Sequence, residues 1–290
     1  MIFFSAYILL VIILVKFTKI EGTGNNYIYI DLITNDYKIY NYSDLAKKIS
    51  DYNFGIGSDG LILILPSKIA DAKMLIFNKD GSEGKMCGNG IRGVALYINK
   101  FINKKEVLNI ETKSGIKTVK LNNNNIIVNM GKPIIKCSKI PLYTEKNRII
   151  NEKIIIDNIN YNINCVSMGN PHTVIFLDNI TNIDIKKMSE QILKLNIFPN
   201  KTNIEFVEII NKRKIKLRVY EIGSEETLSC GTGACASVVA GVLNNFLDKH
   251  KRIEVIVPGG TLYITYNKTV ILEGPSHIIC EGNFYYSNKK

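Results

Sequence analysis

Two cysteines in this 290-residue chain sit against glycine-rich turns: Cys87 in "MCGNGIRG" (86–93) and Cys230 in "SCGTGACA" (229–236). Each turn opens a stretch with helical spacing of apolar residues. The first stretch carries Ile91, Val94, Ala95, Ile98, Phe101 and Ile102; the second carries Ala234, Val238, Val239, Val242 and Phe246. The wide apolar face of both predicts buried helices. The first turn of a helix has unpaired N–H groups and partial positive charge, and glycine lets a ligand approach the backbone closely. Such a turn is a cradle for an anion. A cysteine there is expected to gain thiolate character, with a pKa below the free value of about 8.5.

Two such turns facing each other would grip one carboxylate and set a sulfur on each side of the adjacent carbon. That arrangement suits racemisation or epimerisation: one thiolate removes the α-proton and the opposite thiol returns one to the other face. Carbanion charge spreads into the carboxylate, where both helix ends stabilise it. The scheme needs no electron-sink cofactor, and the sequence suggests no pyridoxal-phosphate site and no metal site.

Landmarks repeat along the chain. Cys87-Gly-Asn-Gly and Cys230-Gly-Thr-Gly lie 143 positions apart, as do Asn78 and Glu221. The pairs Gly24-Asn25 and Gly169-Asn170 are separated by 145, as are Ser114-Gly115 and Gly259-Gly260. The common spacing points to duplication: an α/β fold of two pseudo-symmetric halves, each wrapping strands around one central helix. The expected segments are an apolar extension (1–14), a first half (15–131), a second half (132–275) and a C-terminal segment (276–290) returning to the first half.

Short β-branched and aromatic runs bounded by Gly, Asn and Asp mark strands. They fall at Val15–Ile20, Tyr27–Ile33, Leu61–Leu65, Lys73–Phe77 and Ile116–Leu121. The second half has Ile163–Val166, His172–Leu177, Glu205–Ile210, Ile215–Tyr220, Ile253–Val257 and Thr261–Tyr266. Amphipathic helices are expected at Ser43–Tyr52, with Ser43 as N-cap, and at Asp184–Leu195.

Composition narrows the class. Hydrophobic residues make up 46% and charged residues 22%, the balance of a globular protein. The net charge of +11 comes mostly from scattered lysines, without the clustered cations and interleaved aromatics of a nucleic-acid surface, so no nucleic-acid partner is expected. The six cysteines contain no C-x-x-C pair, which argues against structural zinc and for a reduced, cytoplasmic protein. The apolar run from Met1 to Val15 is shorter than the roughly 20 residues that span a bilayer and lacks a basic n-region. It reads as upstream sequence from a misassigned start, with a weak anchor or signal as the alternative.

The residues around these turns resemble the diaminopimelate epimerase family. The matching stretches are "GTGNNYIYID" (22–31), "FNKDGSEGKMCGNGIRGVA" (77–95), "NMGKP" (129–133), "VSMGNPHTVIF" (166–176), "FPNKTNIEFV" (198–207), "RVYEIGSEETLSCGTGACASVVAG" (218–241) and "VPGGTLYI" (257–264). The resemblance implies two pseudo-symmetric domains, a homodimer, and cofactor-independent conversion of LL-2,6-diaminopimelate to the meso form for lysine and peptidoglycan synthesis. It implies Cys87 as base for the L centre and Cys230 for the D centre. Gly88, Asn89, Gly231 and Thr232 would hold the reacting carboxylate. Asn25, Asn78, Asn170 and Asn203 would bind amino and carboxylate groups, and Glu221 a substrate ammonium. His172 and Glu221 would tune the thiols.

Two positions depart from the family pattern: Gly60, where glutamine is usual, and Ile222, where an arginine partner for the distal carboxylate is usual. Three other readings stand beside this one. A proline-racemase-like enzyme would use the same paired thiols, though its first turn reads Cys-Gly-His where this chain has Asn89. A non-catalytic amino-acid-binding descendant would exchange no substrate proton. A thiol redox protein would need an electron donor.

Overall fold

The structure, a computed structural model, describes residues 11–122 and 125–288. The reading of the N-terminal extension at 1–10 lies outside them. The first half comprises β1 (Val11–Gly22), β2 (Asn25–Asp31), α1 (Tyr42–Ser50), β3 (Gly60–Leu65), β4 (Ala72–Asn78), β5 (Glu83–Gly84), α2 (Gly88–Tyr97), β6 (Val107–Thr112), β7 (Gly115–Asn122) and β8 (Asn125–Gly131). The second half runs through β9 (Glu152–Ile156), β10 (Ile159–Ser167), β11 (Pro171–Phe176), α3 (Ile185–Leu193), β12 (Asn203–Asn211), β13 (Lys214–Glu221), β14 (Glu225–Thr227), α4 (Gly231–Leu243), β15 (Arg252–Val257), β16 (Gly260–Tyr266) and β17 (Val270–Gly274). A last strand, β18 (His277–Asn288), pairs antiparallel with β1 along its length.

The pairing repeats from half to half. β2–β3 and β4–β6 are parallel in the first half, and β11–β12 and β13–β15 are parallel in the second. The other ladders are antiparallel. A parallel step needs a long crossover, and each of the four contains a helix. α2 packs on β1, β2, β7, β8 and β18; α4 packs on β10, β11, β12, β16 and β17. Each sheet therefore curves around one central helix. β8 and β17 pair antiparallel and stitch the halves together.

Strand alternation fills two layers at once. Tyr27, Tyr29, Ile62 and Ile64 face the large core around α2 and α4. Ile28, Ile30, Leu61 and Leu63 face an outer core closed by Leu45, Ala46 and Ile49 of α1. Burial on both faces explains why these strands read as nearly continuous apolar runs. In the second half, Ile204 and Phe206 of β12 join an outer cluster with Ile185 and Ile192 of α3.

Local details differ from the sequence reading. α1 is capped by Asn41, whose side chain accepts from Asp44 N at 3.0 Å. The Ser43 hydroxyl instead donates to the Gly81 carbonyl at 2.7 Å, so it is not the cap. β1 starts at Val11, four residues before the run at Val15, because its ladder with β18 extends to Asn288. α2 passes into a π-helical turn at Ile98–Ile102, and α4 stops at Leu243, ahead of Phe246.

The approach of α2 to β2 leaves no room for a side chain at Gly93. A Cβ there would lie 2.1 Å from the hydroxyl oxygen of Tyr29, a buried residue that donates to the Gly90 carbonyl at 2.9 Å. Gly93→Ala is expected to destabilise the fold by about 1–3 kcal/mol through overpacking, lowering the urea midpoint. An unchanged midpoint would refute this packing.

Candidate active site

Cys87 and Cys230 are the N-cap residues of α2 and α4, both in extended backbone conformation. Cys87 Sγ accepts from Gly90 N at 3.3 Å, and Cys230 Sγ from Gly233 N at 3.4 Å. Each sulfur thus takes the place that a serine or aspartate oxygen usually holds at a helix start. The two helix ends meet. A Cβ added at Gly231 would lie 3.2 Å from Gly88 Cα, and one added at Gly88 would lie 3.4 Å from Gly231 Cα. Only glycine allows the two first turns to come this close.

They open on a cleft of about 670 Å³. Asn25, Asn78, Cys87, Gly88, Asn89, Asn170, Asn203, Glu221, Cys230, Gly231 and Thr232 all line it. His172 does not. It is buried behind the wall, with Nδ1 2.7 Å from Glu205 Oε1 and Nε2 3.1 Å from Asn170 Oδ1. It contacts Asn170, which lines the cleft, and the buried Glu205.

The amides differ in how far they are already committed. Asn25 Nδ2 donates to Asp59 Oδ2 at 2.8 Å, which turns Oδ1 toward the Cys87 thiol at 3.7 Å and Asn89 Nδ2 at 3.4 Å. Asn89 Nδ2 also lies 3.3 Å from the Ser229 carbonyl, across the junction between halves. Asn203 Oδ1 accepts from Ile222 N at 3.0 Å and Nδ2 donates to Pro171 O at 3.3 Å, so this side chain braces the turn carrying Ile222. Asn78 Nδ2 donates to Ser82 Oγ at 2.9 Å.

The two departing positions have clear surroundings. A Cβ at Gly60 would lie 2.2 Å from the Phe77 carbonyl oxygen, so this backbone excludes a glutamine there. Ile222 lines the cleft and is 41% exposed. The cationic side chains lining the cleft among the described residues are Lys79 and Lys85.

The electrostatics reverse one expectation from the sequence. Burial pushes the Cys87 thiol up, and nearby Glu221 adds to the rise; the Gly90 N–H and the Tyr27 hydroxyl oppose it. Cys230 is pushed well above the usual range by burial and then by Glu221 and Glu205, against Thr232 and the Gly233 N–H. Desolvation of the thiolate outweighs the helix-end effect at both sulfurs. Glu221 is itself raised by burial, while Thr227 Oγ1 donates to its Oε1 at 2.5 Å. Glu221 lines the cleft and raises both thiols.

Asp59, Arg92, Glu205 and Ser229 escaped the sequence reading. Asp59 sits in "GSDG" just before a buried strand; Arg92 is the one charge in α2, and Glu205 shares an otherwise largely apolar strand with Glu208. A charge embedded in such a run was the available signal. No group of three or more His, Cys, Asp and Glu side chains among the described residues is arranged to hold a metal.

The fold defines the class: a two-half α/β protein with one central helix per half. Among solved structures it is similar to a phenazine biosynthesis protein of the PhzF family from Bacillus anthracis (TM-score 0.68, 18% identity, covering 94% of this chain and 99% of that one). A hydroxyproline epimerase from Agrobacterium vitis is similar at TM-score 0.66 and 12% identity, covering 95% of this chain and 92% of that one. Within the class, the chain belongs to the diaminopimelate epimerase family, whose model matches residues 17–136 and 164–275. Relatives named diaminopimelate epimerase include one from Methanococcus maripaludis, 44% identical over 276 residues (92% of this chain, 98% of the relative). Another, from Carboxydothermus hydrogenoformans, is 44% identical over 275 residues (93% of this chain, 99% of the relative).

The raised thiols set a pH signature. Only the thiolate is alkylated by iodoacetamide, so modification of Cys87 and Cys230 in the free protein is expected to climb at higher pH than for a free cysteine, about 8.5. Peptide mass mapping across pH 6–11 reads it; a midpoint below the free value at either residue would contradict the burial effect.

Proposed function

We propose that the chain is a cofactor-independent isomerase that interconverts LL- and meso-2,6-diaminopimelate, the step its family performs in lysine and peptidoglycan synthesis. The observation that carries this reading is the meeting of two cysteine-capped helix ends in one cleft. The N–H groups of Gly88, Asn89, Gly231 and Thr232 lack intrahelical partners by position, and they bind the carboxylate of the reacting centre. With that carboxylate fixed at the junction, the Cα–H axis runs between the two sulfurs. The Cys87 thiolate takes the proton from the L centre, and the Cys230 thiol delivers one to the opposite face. The reverse direction exchanges the roles.

Negative charge growing on the carboxylate meets two positive helix ends that were in place before reaction, so little reorganisation is needed. Asn25 is held by Asp59 with its carbonyl oxygen beside Cys87 and accepts from the substrate ammonium. Glu221 adds a carboxyl acceptor to the wall of the cleft. Asn78 and Asn170 bind polar groups of the distal arm, and Asn203 holds the turn beneath it. His172 acts through Asn170 and Glu205. The domain division at 15–131 and 132–275, a homodimeric assembly and a cytoplasmic location complete the proposal. All six cysteines are free, which supports a reducing compartment; no helix among the described residues is long and apolar enough to cross a membrane.

Incubation of LL-diaminopimelate in deuterium oxide is expected to place deuterium at the α-carbon of the meso product. Cys87→Ser and Cys230→Ser should each lower epimerisation by at least roughly 100-fold, because a serine hydroxyl is a far weaker acid and base than a thiol at neutral pH. Wild-type protein that binds substrate and exchanges no proton would mark a binding protein instead. A charged partner for the distal carboxylate is the second variable: Ile222→Arg is expected to lower KM about tenfold with little change in kcat, through one bidentate charged bond. An unchanged KM would show that the distal carboxylate does not reach this wall.

A further inference from the structure

Among the described residues Arg92 is the largest side chain with essentially no exposure, and none of its hydrogen bonds there goes to a carboxylate. Nε donates to Pro275 O at 3.0 Å. Nη1 donates to Gly88 O at 3.1 Å and to Asn89 Oδ1 at 2.9 Å. Nη2 is buried without a partner among the described residues. The surrounding chain leaves the guanidinium its space through missing side chains. A Cβ at Gly22 would lie 2.8 Å from Nη2, and one at Gly274 would lie 3.2 Å from Cζ. A buried, imperfectly satisfied cation is costly, and a fold that needed only packing at this point would do better with an apolar residue.

We propose that Arg92 is a positioning residue for the first acid–base centre: it fixes the Asn89 amide at the junction and supplies the buried positive charge that stabilises the Cys87 thiolate. The bond to Asn89 Oδ1 forces Nδ2 of the same amide toward Asn25 Oδ1 and Ser229, so one guanidinium sets the orientation of a side chain shared by both halves. Arg92 lies one turn into the helix that Cys87 caps. Burial lowers its pKa to about 10, opposed first by Cys87 and then by Tyr29, Glu21 and Cys235, so it stays charged at neutral pH. Glu21 does not neutralise it: its oxygens accept from Gly24 N at 3.0 Å and lie 2.7 Å from His277 Nδ1. Cys87 itself faces Glu221 and Tyr27, with Gly90 and Asn89 N–H groups beneath it. Cys230 faces the carboxyl groups of Glu221 and Glu205. The two carboxyl groups push Cys230 up further than Cys87; the cation one turn into α2 widens that difference, with Cys87 the readier thiolate.

The inference rests on the paired-thiol reading above, and its test does not need turnover. Iodoacetamide alkylation of Cys87 and Cys230 is followed by mass spectrometry against pH in wild type, Arg92→Met and Arg92→Lys, with melting temperatures alongside. In wild type the Cys87 midpoint is expected below that of Cys230. Arg92→Met should raise the Cys87 midpoint by about one pH unit or more, as loss of a nearby opposite charge does, and leave Cys230 in place. Arg92→Lys, which keeps the charge, should hold the Cys87 midpoint near wild type. An unshifted Cys87 midpoint in Arg92→Met, or equal shifts at both cysteines, overturns the proposal. Should Arg92→Met not fold, a wild-type Cys87 midpoint at or above that of Cys230, or a Cys87 shift in Arg92→Lys as large as that expected for Met, overturns it equally. An inactive protein with the expected midpoints would leave this inference standing and sink the epimerase reading.

Discussion

Two helices of this chain point their N-terminal ends at each other, and the remainder of the structure holds them there. Like partial charges at helix ends do not seek each other out. The approach of Gly88 to Gly231 is imposed by the β8–β17 ladder and by a core that packs α2 and α4 into one cluster. The product of that imposed contact is a concentrated, preorganised positive region with no cationic side chain in the first turn of either helix. In the proposed reaction a substrate carboxylate would relieve it, and an enolate-like transition state would relieve it further. Stability spent on bringing the ends together is thereby converted into selectivity for charge that develops during reaction.

The duplication supplies a scaffold symmetric in backbone and asymmetric in electrostatics. Asn25 and Asn170 hold equivalent places, and Tyr27 and His172 follow each of them by two residues. The ladders around them repeat parallel for parallel. The charges do not. On the first side, Asp59 holds Asn25 and Arg92 bonds the Gly88 carbonyl and the Asn89 amide beside Cys87; on the second, a buried His172–Glu205 pair holds Asn170 and two carboxyl groups press on Cys230. A reaction that takes a proton from one face and gives it to the other gains from two sulfurs of unequal proton affinity, since one must be base while the other is acid.

Burial sets the cost of this arrangement. Both sulfurs gain an N–H at the helix start, and both nevertheless rise in pKa because the thiolate loses more hydration than one or two amide bonds restore. A bound carboxylate substrate excludes still more water. In the proposed mechanism the reactive thiolate is held by short-range dipoles and by the buried guanidinium, not by solvent. Amides suit the wall beside the thiols: the Asn25 and Asn89 side chains can donate and accept without adding charge there.

Much was legible in the sequence because its signals are local. Cys-Gly-x-Gly ahead of an apolar helical period identifies a capped, buried helix, and two copies at a fixed spacing identify two halves. Both follow from hydrogen bonding and periodicity within a dozen residues. The continuous apolar run Leu61–Leu65 and the β-branched, aromatic run Glu205–Ile210 read as strands for the same reason. β8 and β17 were not read as strands, since each takes its partner across the halves: Val270 pairs with Gly131; the return of the C-terminal segment to the first half was expected, and it forms β18 on β1. Tertiary structure alone decided that the two sulfurs share one cleft, that His172 stands behind Asn170 rather than beside substrate, and that the thiols rise in pKa. Those outcomes depend on desolvation and on contacts between segments over a hundred residues apart, quantities that no spacing along the chain encodes.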